Sequence, residues 1–158
     1  MYRRILVPLD GSKEAEHALP HIKTAATGYE PPAKVILYRA IEPIFPPARG
    51  DITIANRYLE EERKLEESAT KYLLKIADNL KKDGIDVEEP VMVGLSISDV
   101  AGDILECAEG NEVDLIIMTT HGRSGISRWA FGSVTDRVLR HSQVPVLVVP
   151  PQGYRSSK

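Results

Sequence analysis

Residues 114–150, DLIIMTTHGRSGISRWAFGSVTDRVLRHSQVPVLVVP, contain the order of elements that decides the fold. The runs 113–118 and 144–149 are short and mostly apolar, as is typical of strands buried on both faces of a parallel sheet. A basic loop with three glycines separates them, followed by a helix from about Val134 to His141. This order of strand, helix and strand predicts a right-handed crossover between parallel strands.

The rest of the chain repeats the alternation of strands and helices. The predicted strands are 4–9, 34–41 and 87–93, and the predicted helices run between Ser12 and Gly28, from about 55 to 82, and between Ser98 and Gly110. Pro20 lies inside the first helix and is expected to bend it, because proline lacks the N–H that the helix needs. Pro90 lies inside the third strand and places it at a sheet edge, since proline cannot donate to a strand ladder.

The sequence therefore predicts a single α/β domain over residues 1–158. A length of 158 residues suits one domain with a core of its own. We expect an open, doubly wound, mainly parallel sheet of five strands, with helices on both faces in a Rossmann-like arrangement. The sequence shows no linker, internal repeat or low-complexity tract that would divide it.

Composition and charge exclude several classes of protein. Hydrophobic residues make up 42% and charged residues 27% of the chain, as in an ordinary globular domain. A net charge of −3 without a basic stripe argues against nucleic acid as a partner. The apolar runs are far shorter than the ~20 residues of a membrane span, and no signal-peptide pattern is present, so we expect a cytoplasmic protein without a membrane partner. The single cysteine, Cys107, is expected to be a core residue on a helix.

The carboxyl ends of the strands are where ligands bind in open doubly wound sheets. This rule points to Asp10 after the first strand, to residues 40–41 at the end of the second, and to residues 118–125 after the fourth. Asp10 has two interpretations of similar weight. It ends a strand in an Asp-Gly turn, or its carboxylate binds ribose hydroxyls or a Mg²⁺ ion carried by phosphates.

The loop before the last helix is interpreted either as an anion site or as a simple turn. Gly132 and Ser133 open that helix, and the first turn of a helix offers unpaired N–H groups and a partial positive charge. Ser133 is expected to be the N-cap, with Asp136 completing a capping box. Gly122 would let the loop amides curl toward an anion, and Arg123 would add charge. Neither a P-loop nor a GxGxxG fingerprint is present.

The histidines indicate neither a metal centre nor a catalytic base. His17, His21 and His141 are separate along the chain and form no ligand set. His121 has no nucleophile at readable spacing, so we expect it to stabilise its loop. The sequence therefore predicts no catalytic residue and no direct protein-held metal site.

Two segments, and the order of elements between them, resemble the universal stress protein family. The segments are RRILVPLDGS at 3–12 and the stretch at 114–150 quoted above, and the likeness covers essentially the whole chain. The resemblance implies a Rossmann-like fold of the nucleotide-binding, α-hydrolase-like type. It also implies adenine-nucleotide binding, since many members of the family bind ATP.

The ATP-binding pattern of the family is G-x2-G-x9-G-[ST]. Gly122, Gly132 and Ser133 match it, whereas Thr119 stands where the first glycine is expected. If that glycine uses a positive φ, a β-branched threonine is strained there. If only its backbone amide is used, Thr119 can replace it.

The resemblance also implies the contacts of the nucleotide, which is ATP, ADP or AMP with Mg²⁺. Ala40 matches the position whose backbone recognises adenine, and Asp10 would lie near the Mg²⁺ on the nucleotide. Arg123 is included because of its charge and its position in the loop, not because of the family pattern. The residues expected at the nucleotide are Pro8, Leu9, Asp10, Ala40, Met118, Thr119, Gly122, Arg123, Gly132, Ser133 and Val134.

Family members commonly form homodimers by pairing their last strands. The run Val144–Val149 suits such pairing, since an exposed apolar edge strand invites a partner. Three functions remain open: an ATP-binding stress-response regulator, a slow nucleotide hydrolase, and a scaffold that has lost nucleotide binding. No nucleophile, base or water-positioning glutamine can be named for the hydrolase, and Thr119 is the feature that supports the scaffold.

Overall fold

Strands and helices alternate along the chain in the computed structural model. The structure describes residues 2–28, 31–45, 52–88, 91–96, 99–120 and 131–150. The strands are β1 (Arg4–Pro8), β2 (Lys34–Ile41), β3 (Asp86–Val87), β4 (Met92–Leu95), β5 (Leu115–Thr119) and β6 (Val146–Val149). The helices are α1 (Lys13–Glu16), α2 (Leu19–Ala26), α3 (Ile52–Lys82), α4 (Val100–Gly110) and α5 (Ser133–His141).

Every strand pair among the described residues is parallel. The strand order is β3-β2-β1-β5-β6, and β4 also pairs with β2. From β1 the chain continues to β2 on one side and returns to β5 on the other, so the order reverses at β1. The predicted parallel, doubly wound α/β architecture is therefore confirmed, and its switch point lies between β1 and β5.

The expected number of five strands is wrong, because the described residues form a six-stranded sheet. The segment expected as one strand at 87–93 forms β3 and β4, which lie in succession along the same side of β2. Lys34 pairs with Asp86, whereas Tyr38 pairs with Met92, so two extra residues interrupt the ladder. The edge position of this segment is confirmed, and Pro90 lies outside the described residues.

Helices cover both faces of the sheet. Alternate residues of β1 point to opposite faces, so Ile5 and Val7 pack against α1, α2 and α3, while Leu6 packs against α4 and α5. All three side chains are fully buried, as are Leu37 of β2 and Ile116 of β5. Because both faces are covered, ligands can reach the sheet only at its ends.

The segment expected as one bent helix is two helices. Ser12 caps α1 and its hydroxyl accepts the N–H of Ala15 at 3.1 Å, as expected of an N-cap. The helix α1 ends at Glu16, and α2 begins at Leu19. Pro20 lies in the first turn of α2, where its missing N–H leaves no helical carbonyl unpaired. The predicted bend is therefore a full interruption.

The long helix α3 has two different halves. Its C-terminal half packs on the sheet through Ala69, Leu73 and neighbouring apolar residues, which are buried. Its N-terminal half is largely solvated, with Ile52 78% exposed, and it carries an i,i+4 ion pair of Lys64 with Glu60. No helix among the described residues is both long and apolar enough to span a bilayer.

Glycines follow the ends of two helices, whereas Gly110 does not end the next helix as expected. Gly28 and Gly84 have φ values of +88° and +81°, which suit residues just beyond a helix end. Gly110 instead lies within α4, and the left-handed position after that helix is taken by Glu112 with φ 50°. Ser98, the expected cap of α4, lies outside the described residues, and Asp99 caps that helix.

Candidate functional site

A cleft of about 600 Å³ lies at the carboxyl edge of the sheet, at the ends of β1, β2 and β5 and the start of α5. Nine residues expected at the nucleotide line it: Pro8, Leu9, Asp10, Ala40, Met118, Thr119, Gly132, Ser133 and Val134. Two others, Gly122 and Arg123, lie outside the described residues. Ile41 also lines it, at the strand end to which the switch-point rule points. Sequence reasoning missed the other lining residues, which are Ala15, Tyr38, Arg39, Glu42, Leu65, Val100, Ile104 and Thr135.

The start of α5 presents backbone N–H groups at one end of the cleft. Gly132 is the N-cap, with φ −58° and ψ 153°, and its N–H donates to the carbonyl of Thr120 at 2.8 Å. The N–H groups of the next three residues, 133–135, have no carbonyl within the helix to bind. No acceptor for them lies within the described part of the chain. These three donors and the helix dipole favour an anion in this corner.

The expected capping box of Ser133 and Asp136 is wrong. Ser133 is the first residue of the helix rather than its cap, and no side chain caps this helix end. The Asp136 carboxylate accepts a hydrogen bond from Arg140 Nε at 2.8 Å, which lowers the pKa of that carboxyl. The Ser133 hydroxyl is therefore not used to cap α5, and Ser133 is one of the residues that line the cleft.

Thr119 is accommodated without backbone strain. It is the last residue of β5, opposite Val149 of β6, and only 6% of it is exposed. Among the described residues, Glu112 is the one non-glycine residue with a positive φ. The strained backbone that would have argued against threonine at this position is therefore not present.

Asp10 forms the turn that its first interpretation predicted. Its Oδ1 atom accepts the backbone N–H of Ser12 at 2.9 Å and also the Ser12 hydroxyl, and Gly11 has φ +83°. The turn holds the carboxylate at the wall of the cleft. The structural and the ligand-binding interpretations of Asp10 are thus compatible.

Arg39 is a charged residue of the cleft that sequence reasoning missed. Its guanidinium lies 5.3 Å from the centre of the Tyr72 ring, within range of a cation–π contact. It also packs against Gly11, where a Cβ atom would lie 2.9 Å from Arg39 Nη1. Burial raises the pKa of the Tyr72 hydroxyl, and the Glu16 carboxylate adds to that shift. The available signal was a charge inside the otherwise apolar strand KVILYRAI.

The wall of the cleft toward α4 and α5 is largely apolar. Tyr38, Val100, Ile104, Met118 and Val134 all pack in or against the core on that face of the sheet. An apolar wall with polar groups at one end is typical of a pocket for a planar, partly polar ligand. The cleft therefore has an apolar side and an anion-binding corner.

Tyr38 is the most perturbed titrating group on the apolar side of the cleft. Burial raises its pKa to about 12, and the Asp103 carboxylate adds to the rise. Tyr38 Oη lies so close to Gly94 that a Cβ atom there would be 2.5 Å away. The ring is therefore held by close packing and stays neutral at physiological pH.

The described residues do not assemble a metal centre. No group of three or more histidine, cysteine, aspartate or glutamate side chains is placed to hold an ion in that part of the chain. The carboxylates that line the cleft are Asp10 and Glu42. Cys107 is half-buried against the α4 side of the core, as expected, and burial raises its pKa to about 11.

The fold and the cleft define a doubly wound α/β protein with a ligand site at the switch point of its sheet. Residues 1–150 match the model of the universal stress protein family, and the chain belongs to that family. Universal stress protein MJ0577 of Methanocaldococcus jannaschii is 34% identical, over 94% of this chain and 95% of that protein. MJ0531 of the same organism is 31% identical, over 94% of this chain and 82% of that protein.

Solved structures share this fold. The structure of MJ0577 has a TM-score of 0.78 at 33% identity and covers 97% of this chain and 99% of its own. A universal stress protein of Arabidopsis thaliana with AMP bound has a TM-score of 0.61 at 12% identity, with 99% and 96% covered. Another family structure, in complex with cAMP, has a TM-score of 0.58 at 24% identity, with 94% and 97% covered.

Proposed function

We propose that this universal stress protein binds ATP, or another adenine nucleotide, and acts as a homodimeric regulator of a stress response. The observation that carries the proposal is the gathering of nine expected residues around one cleft, with three helix amides at one end. A volume of about 600 Å³ suits a mononucleotide, since small-molecule sites commonly measure ~300–1,000 Å³.

The two sides of the cleft match the two ends of a nucleotide. Adenine would lie along the apolar wall, near Tyr38 and Met118, with the backbone of Ala40 in reach of its edge. The phosphates would lie at the start of α5, where the N–H groups of residues 133–135 and the Ser133 hydroxyl are donors. Asp10 lies at the wall where the ribose would cross β1. Two family structures that hold AMP and cAMP support this class of ligand.

Magnesium would enter the site on the nucleotide. Its preferred ligands are carboxylate, phosphate and water oxygens, and the Asp10 carboxylate fits that donor set from the ribose side. Mg²⁺ neutralises phosphate charge, and Asp10 would orient the ion directly or through water. The proposed role is binding and regulation, and we assign no hydrolytic step to these residues.

The amide corner is tested by replacing one amide without disturbing the helix. Ser133→Pro removes the first N–H of α5 at a position where proline is well tolerated. Gly132 already has the extended conformation that a residue before proline adopts, with ψ 153°. The matched control is Ser133→Ala, which removes the hydroxyl and keeps the N–H.

We expect the proline variant to bind MgATP about 10–100-fold more weakly in isothermal titration, because one charge-assisted hydrogen bond is lost. The alanine variant should lose less, and the free energy of unfolding should not fall in either. An absence of heat with the unaltered protein would remove the nucleotide proposal. Mass spectrometry of co-purified ligands would identify which adenine nucleotide is held.

The homodimer is proposed through the outer edge of β6. In the described part of the chain, β6 pairs only with β5, and Leu147 at its centre is 39% exposed. Leu147→Lys places a charge on that edge and should yield monomers in size-exclusion chromatography with light scattering. Leu74→Lys on α3 is the control, since Leu74 is equally exposed at 39%. A dimer that survives the Leu147 change would exclude this interface.

A further inference from the structure

Thr135 lies in the first turn of α5, yet its side chain bonds outside that helix. Its hydroxyl donates to the carbonyl of Thr119 at the end of β5, with an Oγ1–O distance of 2.9 Å. Both residues are buried, at 3% and 6% exposed. A helical threonine commonly bonds a carbonyl three or four residues earlier, whereas this acceptor is 16 residues earlier.

A second hydrogen bond joins the same two elements. The N–H of Gly132 donates to the carbonyl of Thr120 at 2.8 Å, and the N–H of Thr120 donates to Val149 of β6 at 3.0 Å. Two successive carbonyls, of the last residue of β5 and of the residue after it, therefore hold the start of α5 by hydrogen bonds. The peptide group between these two residues is itself hydrogen-bonded to β6. The three free amides of α5 are held in a fixed place relative to the sheet.

We propose that Thr135 is a positioning residue of the nucleotide site, whose hydroxyl sets the place of the α5 amides through the Thr119 carbonyl. The inference rests on the proposed nucleotide function. Hydrogen bonds weaken steeply once distance and angle leave a narrow range, so a small movement of these donors weakens every phosphate contact together. Contacts at the adenine end, near Tyr38 and Ala40, lie on β2 and do not depend on this bond.

The inference also gives Thr119 a role that its side chain does not determine. The group that Thr135 uses is the backbone carbonyl of Thr119, which any residue at that position provides. Replacing the family's glycine by threonine therefore leaves this tie intact. The amide corner persists in this chain despite the altered first position of the motif.

The test compares Thr135→Val, which keeps the side-chain shape and removes the hydroxyl, with Thr135→Ser, which keeps the hydroxyl. Dissociation constants for MgATP and for adenosine are measured by calorimetry. We expect the valine variant to bind MgATP about tenfold more weakly, because the phosphate contacts of the displaced amides weaken together, and adenosine within about twofold. The serine variant should stay within about twofold for both. Equal weakening of both ligands, no weakening, or no rescue by serine would overturn the inference.

A phosphate-only probe separates this inference from the proposed function. Sodium tripolyphosphate is titrated while the backbone amide signals of residues 133–135 are followed by NMR. Binding of tripolyphosphate without binding of MgATP would remove the proposed function, and the valine and serine variants would then be judged with tripolyphosphate alone. Binding of neither would show that the corner is not an anion site and would remove both. Should the valine variant not fold, Thr135→Ala replaces it in the same comparison.

Discussion

The amino and carboxyl ends of the sheet differ in whether their polar groups have hydrogen-bond partners among the described residues. At the amino end, Arg4 Nη2 donates to both carboxylate oxygens of Glu88 at 2.7 and 2.6 Å. Asp114, just before β5, accepts the backbone N–H groups of Arg3 and Arg4 at 2.8 and 3.1 Å. At the carboxyl end, the three amides that open α5 meet no acceptor among the described residues.

This difference separates groups that stabilise the fold from groups that are available to a ligand. A donor whose acceptor belongs to the same chain contributes to folding whether or not a ligand is present. A donor that faces a cleft is instead available to an acceptor atom of a bound ligand. Substitutions at the amino end should therefore change stability alone, and substitutions at the carboxyl end should also change binding.

The largest expected effect is a loss of stability at alkaline pH, from a group at the carboxyl end. Burial raises the pKa of Tyr38 from 10.0 to about 12, so the folded state holds its proton more tightly than the unfolded state. The stabilisation is complete below pH 10 and is lost as the pH rises through about 12. A shift of two units corresponds to about 2–3 kcal/mol. Urea unfolding between pH 8 and 12 measures it. Tyr38→Phe should reduce the decline above pH 10 without removing it, because burial also raises the pKa of Tyr72.

Cys107 should add an earlier step to the same curve. Burial raises the pKa of its thiol from 9.0 to about 11, so its contribution begins to fall above pH 9. Cys107→Ser should remove the part of the decline between about pH 9 and 11. Curves that are flat to pH 12 in the unaltered protein would contradict both assignments.

Asp114→Ala should destabilise the protein by about 1–2 kcal/mol, because two backbone N–H groups lose their acceptor. Chemical denaturation gives the change in the free energy of unfolding. Affinity for MgATP should stay as it was, since Asp114 is at the opposite end of the sheet from the cleft. Asp78→Ala, at an exposed carboxylate of α3, is the control and should change stability by less than about 0.5 kcal/mol. Weaker MgATP binding by the Asp114 variant would contradict the expectation that substitutions at the amino end change stability alone.

Gly11→Ala and Gly28→Ala are a matched pair of substitutions that come next in the expected size of their effects. Both glycines have a positive φ, +83° and +88°, so alanine should cost about 1–2 kcal/mol at either position. Only at Gly11 would the new Cβ also displace Arg39, because a Cβ at Gly28 would lie within 4 Å of no described atom beyond its chain neighbours. We therefore expect a loss of stability in both variants that is no smaller for Gly11→Ala, and weaker MgATP binding for the Gly11 variant alone. Equal affinities in the two variants would contradict a contribution to binding from Arg39 or from the turn that holds Asp10.

Glu88→Gln should have the smallest effect. The side chains of Arg4 and Glu88 are 29% and 32% exposed, and partly solvated ion pairs contribute at most about 1 kcal/mol. Thermal unfolding at low and high salt measures the contribution. The difference between the two proteins should shrink as salt is added, and a difference that grows with salt would contradict the assignment.

The sequence predicted the sheet and the location of the cleft because both depend on local patterns. Short apolar runs identified the strands, and alternation with helices made them parallel. The switch-point rule places Asp10, Ala40 and Thr119 on one edge of the sheet independently of any family likeness. The error in strand number arose because β3 and β4 share one partner strand, and an apolar run does not reveal two extra residues in the pairing.

Arg39 and Thr135 show what the sequence could not predict. Their contacts are made to residues distant along the chain, Tyr72 and Gly11 for Arg39, and Thr119 for Thr135. Propensity and periodicity carry no information about such pairs. The capping assignment of Ser133 failed for a related reason, since Gly132 and Ser133 both suit a cap and the fold decides between them.

The interruption between β3 and β4 has a consequence for how molecules of this protein meet. An incoming strand needs a continuous row of backbone groups as a template, and β3 and β4 supply only two and four residues on that flank. Fibril-like stacking from that flank is thereby discouraged. The shape of the sheet itself restricts strand addition to its opposite flank.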